Sequence, residues 1–207
     1  MKKNMIGTLL LSTLLLGGLA TPAFAEGQAT SKGDITFTEP TNTVVPLDPT
    51  DPSKPVEPAD PENPGTGQTG PLTLDVVPEL PFGTHEIESG TKTYQIDASK
   101  NDTPYLQVSD RRGVGADGQA QGWNVTVSVS DFVNGSQVLQ GAELDFGTST
   151  VKSTSDNEAT APTSQAVTLG TWFSVYDPAN ITLKVPKAAA GAFTADLTWN
   201  LVAGPIA

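Results

Sequence analysis

Strict alternation of apolar and polar residues in two tryptophan-containing segments limits what this chain can fold into. In GWNVTVSVS, every second residue from Trp123 to Val129 is apolar, and in FTADLTWNL the same holds from Phe193 to Leu201. Successive side chains of a strand point to opposite faces. Each segment therefore predicts a strand with one buried and one solvated face, as antiparallel sheets commonly have.

Shorter runs of the same kind recur from Leu72 onward, separated by clusters of Gly, Asn, Asp and Ser. The best helical window, VPKAAAGA, is short and is broken by Pro186 and Gly191. Many short strands separated by turns predict an all-β fold, either an antiparallel β-sandwich or an open barrel. We expect a further run, DITFT at residues 34–38, to pair into the same sheet, since it would not be stable alone. A frayed arm before a separate domain is the alternative.

Proline recurs at every third position from Pro46 to Pro64, and mostly acidic residues precede the prolines. Proline fixes φ and forces the preceding residue into an extended conformation, which favours polyproline II with three residues per turn. Residues 46–67, called the proline segment below, are thus predicted to be an acidic, extended excursion near the start of the β-domain. The 19 residues of its repeat would reach about 60 Å. A stiff spacer is favoured over a ligand for a proline-recognition groove, because the flanks are acidic rather than basic.

The first 25 residues have the order of a secretory signal peptide. Two lysines precede an apolar run from about Met5 to Ala20, and Ala23-Phe24-Ala25 follows. The run is short for a bilayer span, which needs about 20 apolar residues, so cleavage after Ala25 is favoured over an uncleaved anchor. No later stretch could span a membrane, and no LPxTG-type motif or lipidation cysteine is present. We expect an exported chain without a covalent anchor, with residues 26–207 as the β-domain.

Charge and cysteine content exclude several functions. Without Lys2 and Lys3, nine basic side chains accompany 23 acidic ones, a formal charge of −14. This disfavours nucleic-acid binding and simple electrostatic attachment to anionic lipids or wall polymers. The absence of cysteine excludes disulfides and thiol chemistry, so the core must supply the stability. No cofactor is expected.

Three motifs occur in order along the cysteine-free chain. LTLDVVPELPFG follows the proline segment, GWNVTVSVSDF spans residues 122–132 and precedes LQGAELDFG, and TWNLVAGP spans residues 198–205. With the signal-like start and the acidic prolines, they resemble the WxL-domain surface proteins of low-GC Gram-positive bacteria. The first tryptophan strand departs from the pattern, reading Trp-Asn-Val. The resemblance implies non-covalent attachment to the cell wall through peptidoglycan, and complexes with other exported surface proteins.

The motif residues have two possible roles. Residues i and i+2 of a strand share a face, so Trp199 and Leu201 form one apolar patch, and Trp123 and Val125 form another. We expect both tryptophans to be core residues, because each is in phase with the apolar positions of its strand. The alternative is an exposed platform for a sugar ring or an anchor for a protein partner.

Other candidate residues lie in less regular stretches. Trp172, in GTWFSVYDPAN, is outside strong alternation, and with Tyr176 it is the better candidate for a surface contact. His85, the single histidine, is expected to be an ordinary surface residue. Asp110 and Arg111 are expected either to form a loop ion pair or to shape a binding edge. Acidic loops around SDRRGVGADG and TSDNEA match no known Ca²⁺-loop pattern, and solvated turns are expected there.

The chain lacks the sequence signatures of catalysis. No GxSxG, HExxH or Cys/His arrangement is present. A wall-modifying glycosidase using two carboxylates is the alternative to a binding protein. We expect a binding protein rather than an enzyme, with direct wall binding and retention through an exported partner both open.

Overall fold

The computed structural model describes residues 28–56, 59–153, 158–166 and 168–204, and for residues 158–166 only the backbone. The predicted signal peptide and cleavage site lie outside the described residues, as does most of the TSDNEA loop. No helix in the described part of the chain is long and apolar enough to cross a membrane.

The chain divides into two units, residues 1–37 and residues 38–207. In the described part of the first unit, residues 28–37 form no strand, and Ile35 and Phe37 are 78% and 85% exposed. The prediction of a sheet strand at residues 34–38 is therefore wrong. A short β-prone run forms a strand only where a neighbouring strand satisfies its backbone, and propensity alone does not supply that neighbour.

The described part of the second unit is built almost entirely from short strands. In chain order they are β1 (Leu72–Val76), β2 (Lys92–Gln95), β3 (Tyr105–Asp110), β4 (Trp123–Val129), β5 (Val133–Asn134), β6 (Gln137–Val138), β7 (Glu143–Asp145), β8 (Thr150–Lys152), β9 (Glu158–Ala166), β10 (Gly170–Val175), β11 (Thr182–Val185) and β12 (Leu197–Ala203). One 3₁₀ turn, Pro178–Asn180, precedes β11.

The strands form three sheets and one small hairpin. The strand orders are β1-β3-β10, β2-β11-β7-β8 and β12-β4-β9, and β5 pairs with β6. Every pairing between these strands is antiparallel. The sheets enclose one hydrophobic core without closing into a barrel. The predicted all-β, sandwich-like architecture is confirmed.

The two tryptophan strands are neighbours in one sheet. β12 pairs with β4 so that Trp199 lies opposite Val127, Leu201 opposite Val125, and Ala203 opposite Trp123. Both strands therefore present their apolar residues on the same face. β4 is the central strand and its apolar side chains are fully buried, whereas β12 is an edge strand and its apolar side chains are only half-buried. Both strands have the same alternation of apolar residues, so the difference in burial comes from the position of β12 at the edge of the sheet.

The proline segment does not project as a rod, so that prediction is wrong. The Leu47 and Pro55 backbones form a bridge, and the Val56 amide donates to the Pro46 carbonyl at 3.0 Å. Farther on, the Glu79 amide donates to the Glu62 carbonyl at 2.7 Å, and the Thr66 amide donates to the Asp75 backbone carbonyl at 2.8 Å. The segment thus folds back on itself, and its second half lies antiparallel to β1.

Asp-Pro turns explain why the extended rod does not form. The Asp48 carboxylate accepts hydrogen bonds from the Thr50 amide and hydroxyl, at 2.8 and 2.7 Å. Asp60 accepts in the same way from the Glu62 amide at 2.9 Å. An aspartate that bonds the backbone two residues on makes a turn, and proline at the intervening position fits it. A proline at every third position is therefore also compatible with a series of turns.

The folded proline segment covers the outer face of β3. All six residues of β3 are buried, including the polar Gln107 and Ser109. The Gln107 amide accepts from the Leu47 amide at 2.7 Å and donates to the Val45 carbonyl and the Asp75 carboxylate at 3.2 and 3.1 Å. A strand covered on both faces loses its alternation in burial. The proline segment is thus a third layer of the domain.

A second buried polar contact fixes the far end of this layer. The Asn63 side chain, 3% exposed, donates to the Asn101 side chain and the Thr103 carbonyl, and it accepts from the Tyr105 amide at 3.2 Å. Asn101 in turn donates to the Glu62 and Glu79 carbonyls, both at 3.0 Å. Buried amides with several partners define one arrangement of the surrounding chain.

The arginines near the end of β3 also differ from the prediction. Asp110 pairs with Arg112, not with Arg111, through a bidentate contact of 2.9 and 2.7 Å. This contact raises the pKa of Arg112. Arg111 instead donates to the Asn42 and Gly70 carbonyls, at 2.7 and 2.6 Å. Arg111 therefore ties together the two chain regions that flank the proline segment.

Candidate functional site

The first predicted tryptophan motif is part of the core. Trp123 is 1% exposed and Val125 is fully buried, on the central strand of their sheet. Neither side chain can touch a ligand without unfolding the domain. Their role is to hold the sheets together, as the alternation of β4 predicts.

The second motif lies at the border of the core. Trp199 is half-buried and packs edge-on against Phe146, with ring centroids 5.9 Å apart. Phe146 also contacts Tyr176, at 5.8 Å, and Leu201 is half-buried on the same strand face as Trp199. Tyr176 is only 7% exposed, so its assignment as a surface contact is wrong. The sequence does not reveal that its ring turns inward after β10.

Trp172 is the most exposed of the three tryptophans. It lies on β10, the edge strand of its sheet, opposite Val108, and is 40% exposed. Its position agrees with the expectation of a surface residue. Because Tyr176 is buried, Trp172 does not form the predicted pair with it.

Two concave surfaces adjoin the segment Phe82–His85, of which only His85 was considered from the sequence. On one side lies a cavity of about 730 Å³, with a predominantly apolar lining that includes Leu80, Leu183, Phe193 and Leu197. On the other side lies a cavity of about 870 Å³, lined by residues that include Glu88, Lys92, Gln95 and Asp97. They are called the apolar groove and the polar cleft. Both volumes fall within the range of about 300–1,000 Å³ typical of ligand sites.

An aromatic stack stands where the two surfaces meet. The His85 ring stacks on Tyr94 of β2, with centroids 4.2 Å apart and planes at 27°. His85 Nε2 lies 2.6 Å from the Phe82 carbonyl, to which it can donate in the Nε2–H tautomer. Gly83 has φ +76°, a left-handed conformation that favours glycine.

The polar cleft combines the stack with charged and hydroxyl groups. Asp97 accepts from the Ser99 hydroxyl and amide, at 2.6 and 3.0 Å, and these hydrogen bonds lower the pKa of Asp97. Lys92 pairs with Glu88 at 2.6 Å, which raises the pKa of Lys92. At neutral pH the cleft therefore presents fixed carboxylates and one ammonium beside a ring face, groups that can bind hydroxyls and amides.

Sequence signals for this site are weak. His85 was expected to be an ordinary surface residue, and it is exposed, but its ring is held on Tyr94. Segment 77–91 has no periodic pattern of apolar residues. The aromatic and glycine residues of PFGTH are the only features from which a defined conformation could have been expected. β2, the KTYQ strand, is an edge strand and contains one aromatic residue among polar ones, so its pattern is weak.

Together these features define the class of protein: an all-β domain whose concave surfaces suit binding. A family model described as a WxL domain, surface and cell wall-binding, matches residues 25–172. The chain belongs to this family, and it is a cell-surface, cell-wall-binding protein. The matched residues include Trp123 and Trp172 and end before β11, so the Trp199–Leu201 motif lies beyond them. Neither a curated protein nor a solved structure matches the chain significantly.

Proposed function

We propose that this protein is held non-covalently on the cell wall by direct contact between its polar cleft and peptidoglycan. The observation that supports this is the His85–Tyr94 stack beside Asp97 and Lys92. Ring faces suit the apolar faces of sugars, while the charged groups and hydroxyls suit sugar hydroxyls and N-acetyl amides. Shape and hydrogen bonding must supply the affinity, because a strongly acidic chain gains little from general attraction to an anionic wall.

The proposal includes export and assembly. An N-terminal signal peptide cleaved after Ala25 would deliver the chain to the surface of a Gram-positive cell, where it joins complexes with other exported proteins. Mass spectrometry of the secreted protein should find Glu26 at the N-terminus. An intact Met1 would contradict the signal-peptide assignment.

Pelleting with purified walls, stripped of protein, tests the direct contact. His85→Ala removes an exposed ring, so the fold should survive, and wall binding should fall about tenfold, equivalent to about 1.4 kcal/mol. Trp172→Ala is the matched control, because it also removes an exposed aromatic ring but lies on β10. His85→Ala should keep the wild-type midpoint of thermal unfolding, whereas Trp172→Ala, whose ring is 40% exposed, should lower the midpoint while the domain stays folded at the temperature of the pelleting assay.

The same assay separates the alternatives. If the wild-type protein does not pellet with protein-free walls but does pellet with untreated walls, a protein partner retains it. If Trp172→Ala loses binding and His85→Ala keeps it, the contact surface is at β10. We propose binding without catalysis, and a fall in the turbidity of a wall suspension on adding the protein would instead indicate a hydrolase.

A further inference from the structure

The apolar groove is an unfilled extension of the core. Its floor is formed by core side chains, among them Leu144, Leu183 and Val185, and one wall is formed by the half-buried Phe193 and Leu197. The groove, of about 730 Å³, is open to solvent. An occupant with apolar groups would remove its apolar lining from water, which favours binding.

The rim of the groove is acidic. Glu62, Glu79 and Glu86 are among its lining residues, whereas no lysine or arginine of the described chain lines it. None of these three carboxylates has a salt-bridge partner among the described residues. A cationic group at the rim would gain charge pairing that the chain itself does not provide, and this gain would decrease with salt because Glu79 and Glu86 are exposed.

We propose that the apolar groove binds a segment of another exported protein that carries bulky apolar side chains next to lysine or arginine. Large aliphatic or aromatic groups match the floor, and the cation matches the rim. Wall polymers are a poorer fit, because sugars and alanine-rich stem peptides offer hydroxyls and methyl groups but no large apolar side chain. The acidic rim likewise disfavours a fatty acid or an anionic lipid. This inference rests on the proposed membership of complexes with other exported proteins, but not on wall binding by the polar cleft.

A substitution that fills part of the apolar groove tests this proposal most directly. Ala195 lines the groove and is half-buried, so Ala195→Leu places three more carbon atoms in the cavity. Filling a cavity commonly leaves stability unchanged or raises it, and a midpoint of thermal unfolding at or above the wild-type value will exclude unfolding as the cause of lost binding. Val202→Leu is the control, because Val202 is exposed on β12 and does not line the groove.

Fluorescence polarisation measures binding of a labelled ten-residue peptide in which lysine alternates with leucine. We expect micromolar affinity for the wild type, at least tenfold weaker binding to Ala195→Leu, and no change for Val202→Leu. Glu79→Gln with Glu86→Gln should weaken binding about threefold to tenfold. A control peptide with glutamate in place of lysine should not bind.

Three results would overturn the proposal. Equal affinity for the wild type and Ala195→Leu would mean that the peptide binds the acidic surface in general. Displacement of the peptide by a soluble disaccharide–stem peptide of the wall would make the groove a wall site, and displacement by laurate would make it a lipid site. Ala195→Leu should still pellet with stripped walls, so a failure here is distinguishable from a failure of the proposed function.

Discussion

Replacing Gln107 with leucine tests whether the proline segment is an integral layer of the fold. Gln107 is fully buried on β3 and joins three chain regions through its side-chain amide. Leucine has nearly the same size but no polar atoms. The substitution therefore removes the hydrogen bonds while leaving the volume filled.

The cost follows from the three groups that lose their partner. The Leu47 amide and the Val45 carbonyl lie at partly buried contacts, where losing a hydrogen bond costs about 1 kcal/mol each. The Asp75 carboxylate, 3% exposed, keeps its contact with the Thr73 hydroxyl but loses Gln107, a cost of about 2 kcal/mol. The total is about 4 kcal/mol, a large part of the roughly 5–15 kcal/mol of a whole domain.

Urea unfolding followed by tryptophan fluorescence measures this change. With a denaturant dependence of about 2 kcal/mol per molar, the midpoint should fall by about 2 M. Gln95→Leu is the matched control, because Gln95 is an exposed strand glutamine that donates only to the Ala179 carbonyl. Its midpoint should change by less than about 0.3 M, since exposed substitutions cost within about 0.5 kcal/mol.

Limited proteolysis adds a local readout. In Gln107→Leu, cleavage within residues 46–67 should become faster than in the wild type, because the layer is held less firmly. If Gln107→Leu keeps the wild-type midpoint and the wild-type protein is already cut rapidly in this segment, the segment is a free projection and the reasoning fails.

Two further predictions concern aromatic side chains. Trp123→Ala should cost about 3–5 kcal/mol, whereas Trp199→Ala, on the half-buried edge strand, should cost about half as much; equal losses in urea unfolding would contradict the burial difference. Burial, with the nearby carboxylates of Asp60 and Asp48, raises the pKa of Tyr105 to about 12 from an ordinary value of 10. The neutral phenol therefore stabilises the fold fully below pH 10, and this contribution is lost as the pH rises from 10 to 12. Tyr105→Phe should flatten that alkaline loss in thermal unfolding, and an unchanged pH profile would count against this assignment.

The strands that could be predicted are those with one covered face. β4 and β12 follow from their alternation, because one side of each strand faces the core, although β12 begins at Leu197 and not at Phe193 as the alternation predicts. β3 was also recognisable as a strand, but Gln107 and Ser109 indicate a solvated face, whereas the proline segment covers it. A sequence pattern reports the polarity of a side chain and not which distant segment satisfies it.

The proline segment and the candidate site were harder to predict for related reasons. The proline period suits both polyproline II and successive turns, and the carboxylates of Asp48 and Asp60 decide between them. The polar cleft and the apolar groove combine strand residues, such as Tyr94 and Leu183, with irregular segments whose conformation depends on tertiary contacts, such as the stack of His85 on Tyr94. Trp172 was correctly expected to lie on the surface, because its strand lacks the alternation of a covered face.

The pairing of β4 with β12 has a consequence for how the chain reaches the cell surface. The paired residues, from Leu197 with Val129 to Ala203 with Trp123, are separated by 68 to 80 positions. Contacts between such distant positions form slowly, because a long loop must close before any pairing energy is gained. Until β12 arrives, the central strand of its sheet lacks one neighbour. A nascent chain with this topology stays unfolded longer, and can therefore be threaded through a secretion pore before its most buried tryptophan is enclosed.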